Sequence, residues 1–145
     1  MIIMKKYKFD KQRLSIIINR IEESMKELGL AFQNENDLND TVKFNASAMS
    51  LFQAINSSID LADDIISQCK FKIPMDYRET FEIIHKEGAI DEAVLKKIKE
   101  LTYYRNLIAH EYYRITREQL LKLIKISKAI YEYLEQMKSF IGKHS

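Results

Sequence analysis

Three glycines and one proline in 145 residues leave this chain few places to reverse direction. Tight turns draw heavily on those two residue types. A chain nearly without them is confined to long elements joined by a few short connections. The apolar residues identify the element. Leu14, Ile17, Ile18, Ile21, Met25 and Leu28 recur at intervals of three and four, the period of one helix face. Strand-like alternation is absent throughout.

Punctuation divides the chain into five helical stretches. The first runs from about Lys11 to Leu28 and stops at Gly29, and an Asn- and Asp-rich loop, Gln33 to Asp40, follows it. The second spans about Asp40 to Lys70 and carries Phe44, Ala48, Leu51, Phe52, Ile55, Ile59, Ala62, Ile65 and Ile66; Pro74 closes the connection after it. Asp76 and Glu79 match a capping box opening a short helix that ends at Gly88. Asp91 caps a fourth helix expected to reach about Tyr113, and Thr116 and Gln119 form a second capping box for a last helix ending near Phe140. The expectation is one all-α domain over residues 1–145, an antiparallel four-helix bundle with an additional short helix.

Composition narrows the class. The chain is 46% hydrophobic and 30% charged, as suits a globular helical protein with solvated outer faces. Its first residues are charged too soon for a signal peptide, and no apolar run approaches a membrane span. A single cysteine, Cys69, excludes an internal disulfide and reads as a packed thiol. A cytoplasmic protein is expected. The net charge of +2 conceals a polarity: from Lys96 to Lys128 nine basic residues face three acids. Such an excess attracts phosphate backbones, although a solvated lysine face produces the same count. Six of the eight tyrosines (103, 104, 112, 113, 131 and 133) lie in the last third, more phenols than a bundle interior readily satisfies. Some of them are expected to line a cleft or an interface.

Chemically capable side chains concentrate between Tyr103 and Arg114. On a helix Arg105 and Tyr112 share a stripe, as do Asn106, His110 and Tyr113. Arg105 and His110 diverge by roughly 140°, so they flank a cleft rather than stack. A neutral imidazole can take a proton from a ribose 2′-hydroxyl, a step worth about 10²–10⁴ in rate. A guanidinium can hold the phosphate oxygens as charge develops, and Asn106 can orient either group. No metal or other cofactor is called for. The adjacent carboxylates Asp63 and Asp64 point apart on a helix and make a poor metal site. The plain alternative pairs Arg105 with an acid of the second helix and buries His110 as a satisfied imidazole.

Arg105-Asn106-Leu107-Ile108-Ala109-His110-Glu111-Tyr112 fits Arg-x4-His-x-Tyr, the pattern of the HEPN superfamily, and specifically resembles its HepT-like toxins. Gln53-Ala54-Ile55, Ile59-Asp60-Leu61-Ala62, Pro74 and Tyr77-Arg78-Glu79 resemble the second helix and middle segment of that family. The resemblance covers about Leu51 to Tyr113 closely. It implies a homodimeric, metal-independent endoribonuclease acting on RNA, possible targets including tRNA, with Arg105 and His110 catalytic and Asp60 a partner for Arg105. It further implies a nucleotidyltransferase-type antitoxin that silences the toxin by transferring AMP to Tyr112, Tyr113 and Tyr104 being the alternative acceptors. The competing expectation is a non-catalytic helical subunit serving such a nucleotidyltransferase as partner or substrate.

Overall fold

A computed structural model describes residues 4–105 and 115–145. Helix α1 (Lys11–Ala31) is followed by a 3-10 turn (Glu35–Asn39), α2 (Thr41–Cys69), α3 (Tyr77–Lys86), α4 (Glu92–Tyr103), α5 (Arg117–Ser127) and α6 (Ala129–Lys143). Among the described residues there is no strand. The architecture is the expected all-α bundle: α1, α2, α4 and a broken α5–α6 column are its long members, with α3 as the short addition. No described helix is long and apolar enough to cross a membrane.

Helix α2 is the hub. Thirteen of its residues are buried, six of them serine or alanine (Ser47, Ala48, Ser50, Ala54, Ser58, Ala62). Small side chains let neighbouring backbones approach closely, and α1, α3 and α5 all pack on this helix. Leu51, Ile55, Leu61 and Ile65 fill the interior between them. On the far side, fully buried Tyr133 of α6 meets Phe81 of α3 edge-on and donates its hydroxyl to the Ser58 carbonyl at 2.6 Å. Burial, with a smaller contribution from the Asp63 charge, holds that phenol well above its ordinary pKa. It therefore stays a donor. One of the surplus phenols is thus a core residue whose polar end is satisfied by backbone.

Several boundaries differ from the sequence reading for local reasons. Helix α1 passes through Gly29 and ends at Ala31, where the Phe32 N–H reaches the Leu28 carbonyl at 2.8 Å. Gly29 lacks the positive φ that ends helices. Gly88 has it (φ 87°), and Ala89 N–H to Ile84 O with Gly88 N–H to His85 O complete the Schellman closure of α3. The loop after α1 contains a 3-10 turn whose Asn34–Asp37 capping box precedes the Asp40 cap of α2. The Thr116–Gln119 box is complete, whereas the Asp76 box is only half formed: Asp76 accepts from the Glu79 N–H, but the Glu79 side chain pairs with Lys72. The last helix breaks at Lys128, after Ser127 turns its hydroxyl back onto the Ile124 carbonyl, a contact that bends helices.

The ends of the chain are tied together. Tyr7 sits among Phe9, Phe71, Phe140 and His144, and its N–H donates to the His144 carbonyl at 2.6 Å. Cys69 is buried near this cluster, and desolvation, reinforced by Glu87, pushes its thiol up to about 11. It is the packed, unreactive thiol that the sequence suggested.

An exposed glycine in the last turn of α1, Gly29, with open space around its missing Cβ, is a site for stabilisation. Gly29→Ala should raise stability by about 0.5–1 kcal/mol, read as a higher thermal midpoint by circular dichroism. An unchanged or lower midpoint would contradict the helical assignment there.

Candidate functional site

Three elements converge on Arg105. Helix α4 ends at Tyr103 rather than continuing in one regular run to Tyr113, and Tyr104 occupies the turn that follows. The Thr102 hydroxyl donates back to the Ile98 and Lys99 carbonyls at 2.7 and 3.0 Å, again the contact that loosens a helix. Tyr103 and Tyr104 stand edge-to-face at 5.1 Å just beyond it. This turn delivers Arg105 to the middle of α2, where its Nε donates to Asn56 Oδ1 at 2.8 Å. On its other side the guanidinium lies 4.5 Å from the centre of the Tyr77 ring. Tyr77 is the first residue of α3, fixed there by the Asp76 cap.

This arrangement corrects one expectation. Asp60, proposed from the sequence as the partner of Arg105, is exposed one turn further along α2, and the bond goes to Asn56. Asn56 and Asp60 share a face of α2 at i, i+4, so the level at which the arginine arrives decides between them. The consequence is electrostatic. A neutral amide and an aromatic face orient the guanidinium without cancelling its charge, and among the described residues no carboxylate forms an ion pair with it. With Nε engaged, the terminal nitrogens have no hydrogen-bond partner among the described residues, and such a pair of nitrogens is a fork that suits a phosphate.

Beside Arg105 a surface groove of about 600 Å³ runs between the start of α3 and the end of α4, lined by Tyr77, Arg78, Lys99, Glu100, Thr102 and Tyr103. Asn56 and Tyr77 escaped the sequence reading as site residues. Tyr77 was visible only as part of a capping segment and of the resemblance to the middle segment of the family, with no role attached, and nothing local marks Asn56, since its role is a contact across 49 residues of chain. Asn106, His110, Tyr112 and Tyr113 lie outside the described residues. The other two histidines have structural partners: His85 Nδ1 faces the Ile90 carbonyl at 2.8 Å and His144 Nδ1 the Lys5 carbonyl at 2.6 Å.

The basic excess after Lys96 is partly scaffold. Lys99 pairs with Glu82, Lys122 with Glu100 and Lys125 with Glu35, while Arg117 pins the 3-10 turn through Asn39 and the Glu35 carbonyl. Asp63 and Asp64 diverge as expected. Asp64 takes Arg13 of α1 and Gln68, and Asp63 takes the Thr80 hydroxyl of α3 at 3.1 Å. Among the described residues no three metal-binding side chains come together.

The chain is similar to known proteins over most of its length. A family model described as Ribonuclease HepT-like matches residues 17–141. The mRNA nuclease HepT of Shewanella oneidensis is 26% identical over 124 residues, covering 86% of this chain and 84% of that protein. YutE of Bacillus subtilis, a cytosolic protein described as of unknown function, superposes with a TM-score of 0.82 at 20% identity, covering 94% of each chain. A tri-AMPylated HEPN toxin of Shewanella oneidensis, solved in complex with an MNT antitoxin, superposes with a TM-score of 0.78 at 16% identity, covering 87% of this chain and 96% of that one. The two structural likenesses establish the fold.

Desolvation raises the Asp63 carboxyl above the ordinary aspartate range, helped by the charges of Asp60 and Asp64 and opposed by the Thr80 hydrogen bond. The folded state therefore favours the protonated form, and that contribution is lost as pH rises through the raised value. Asp63→Asn keeps an acceptor for Thr80 and removes the charge. Because Asp63 keeps access to solvent the effect is screened, so the variant's thermal midpoint should exceed wild type only slightly at pH 7, the gain vanishing below about pH 3.5; a gain independent of pH would contradict this origin.

Proposed function

The chain belongs to the HepT-like ribonuclease family, and we propose on that footing that it is the endoribonuclease toxin of a toxin–antitoxin pair. Arg105 binds the scissile phosphate, and His110 takes the proton of the ribose 2′-hydroxyl. The O2′–P bond forms as the P–O5′ bond breaks, leaving a 2′,3′-cyclic phosphate and a 5′-hydroxyl whose oxygen takes a proton from solvent. Asn106 orients the imidazole or the phosphate. The observation that carries this reading is the cradle of Arg105: a guanidinium held in place by Asn56 and Tyr77 with its charge uncancelled among the described residues.

Two protomers facing each other form the active unit in this reading, which fits the divergence of Arg105 and His110 on an ideal helix. The partner is an MNT-type nucleotidyltransferase that silences the toxin by moving AMP onto Tyr112. The Shewanella HEPN toxin, described as tri-AMPylated and in complex with an MNT antitoxin, supports that expectation. An added adenylate brings bulk and negative charge next to the phosphate-binding arginine.

Purified protein should cleave single-stranded RNA in EDTA, and His110→Ala and Arg105→Ala should each lower the rate by about 10² or more. Asn56→Asp should fold normally yet cleave more slowly, because a carboxylate at that point competes with the substrate phosphate. A folded His110→Ala protein that cleaves at the wild-type rate would remove His110 from the mechanism. Complex formation with the nucleotidyltransferase without any RNA cleavage would make the chain its substrate subunit instead.

After co-expression with the nucleotidyltransferase, intact mass should show adenylate increments on wild type and none on Tyr112→Phe. An unchanged increment on that variant would move the acceptor to Tyr113 or Tyr104.

A further inference from the structure

The groove beside Arg105 has features that neither packing nor the chemical step uses. Tyr103 is 78% exposed and Tyr77 41% exposed, although both are large aromatic side chains at the mouth of one cleft. Tyr104 is packed against the core and props the Tyr103 ring edge-to-face at 5.1 Å, so the exposed phenol is held rather than free to collapse onto the surface. One face of the Tyr77 ring carries the Arg105 guanidinium. Exposed aromatic rings beside a cation present the faces on which a nucleobase stacks.

The charges of the groove sort into two groups. Asp76 is engaged in capping α3, Glu100 pairs with Lys122, and Lys99 pairs with Glu82. Arg78 and Arg105 have no ion-pair partner among the described residues. Two guanidiniums without an ion-pair partner among the described residues therefore lie beside the aromatic rings, Arg78 in the lining and Arg105 against Tyr77. Alternating cationic and aromatic side chains along a groove is the pattern that binds single strands, the backbone following the charges while bases stack on the rings. A groove of about 600 Å³ falls within the usual range of small-ligand sites, about 300–1,000 Å³, and has room for a nucleotide.

We infer that this groove is a nucleotide subsite for single-stranded RNA: a base next to the scissile phosphate stacks on Tyr103, and Arg78 holds the following phosphate. The inference rests on the ribonuclease reading and adds a substrate requirement to it. Bases in a duplex are already stacked, so only an unpaired segment can present a base face to Tyr103. Selection is by strandedness, not by base identity, because every base has a face to stack on an aromatic ring, and the two carboxylates of the groove, Asp76 and Glu100, are held in the α3 cap and the Lys122 pair.

The test is equilibrium binding of wild-type, full-length protein to a fluorescein-labelled 2′-O-methyl RNA strand on the order of ten nucleotides long. This probe keeps bases and phosphates but lacks the attacking hydroxyl, so binding is read without cleavage. The single strand should bind more tightly than the same strand annealed to its complement. Tyr103→Ala should weaken single-strand binding by about tenfold or more, whereas Tyr103→Phe, which keeps the ring, should stay within about twofold. Arg78→Ala should reduce the slope of log affinity against log salt by roughly 0.7. The exposed positions should leave the thermal midpoint of each variant unchanged. The inference is overturned if Tyr103→Ala binds as wild type does, if Tyr103→Phe loses as much as the alanine variant, or if the duplex binds equally well. It is also overturned if Tyr103→Ala changes oligomeric mass instead of affinity, which would put the ring in a protein interface. Cleavage of unmodified RNA by wild type separates the two levels: cleavage with an inert groove rejects only the subsite, and absence of both cleavage and binding rejects the ribonuclease reading itself.

Discussion

Everything in this molecule is referred to the buried face of α2. Its run of serines and alanines between larger aliphatic residues lets α1, α3 and α5 approach one long helix from several sides. Ser58 stands at the centre: its hydroxyl bonds back to the Ala54 carbonyl at 2.7 Å, and its own carbonyl accepts the buried Tyr133 phenol at 2.6 Å. A buried hydroxyl without a partner costs about 1–3 kcal/mol, so this contact fixes the register of α6 against α2. Asn56 lies two residues before Ser58 on the same helix. The helix that carries the core hydrogen bond therefore also carries the amide that receives Arg105.

The site shows how a fold keeps a cation available. A carboxylate, Asp60, lies one turn further along the same face of α2 and forms no ion pair with Arg105. The structure orients Arg105 with an amide and a phenol ring instead. Both supports are polarisable or dipolar but uncharged, so they restrict the side chain without lowering the potential that an incoming phosphate meets. The ion pairs that do form, between Lys99 and Glu82, Lys122 and Glu100, and Lys125 and Glu35, tie one element to another. Much of the basic excess read from the sequence is thereby accounted for by scaffold. Among the described residues of that stretch Lys96, Lys97, Arg105 and Lys128 form no ion pair, and of these Arg105 lies against the Tyr77 ring at the groove.

Legibility followed the range of the interaction. The helices were readable because their signals are local: periodic apolar residues, the Thr116 capping box, the Asp91 cap and the left-handed Gly88 each act within a turn or two. Where two local signals competed, sequence reasoning chose wrongly. Gly29 looked like a terminator but sits inside α1, since the backbone there never leaves helical space and Phe32 still finds the Leu28 carbonyl. The single fourth helix expected through the motif is interrupted at Tyr104, after Thr102 diverts its hydroxyl to the preceding carbonyls. Asn56 left no trace in the sequence, because an asparagine on a helix face has no signature until something meets it.

The sequence by itself determined that this chain is a helical bundle, and its Arg-x4-His-x-Tyr motif is where the proposed chemistry is assigned. Those properties follow from residue type and spacing along one chain. Which partner Arg105 takes, that its charge is left uncancelled among the described residues, and that Tyr77, Arg78 and Tyr103 form one groove beside it were decided by tertiary structure alone. The physical reason is that these relations depend on the height and angle at which α2, α3 and α4 meet. Close packing around Ser58 and Tyr133 sets that geometry, and no local pattern encodes it.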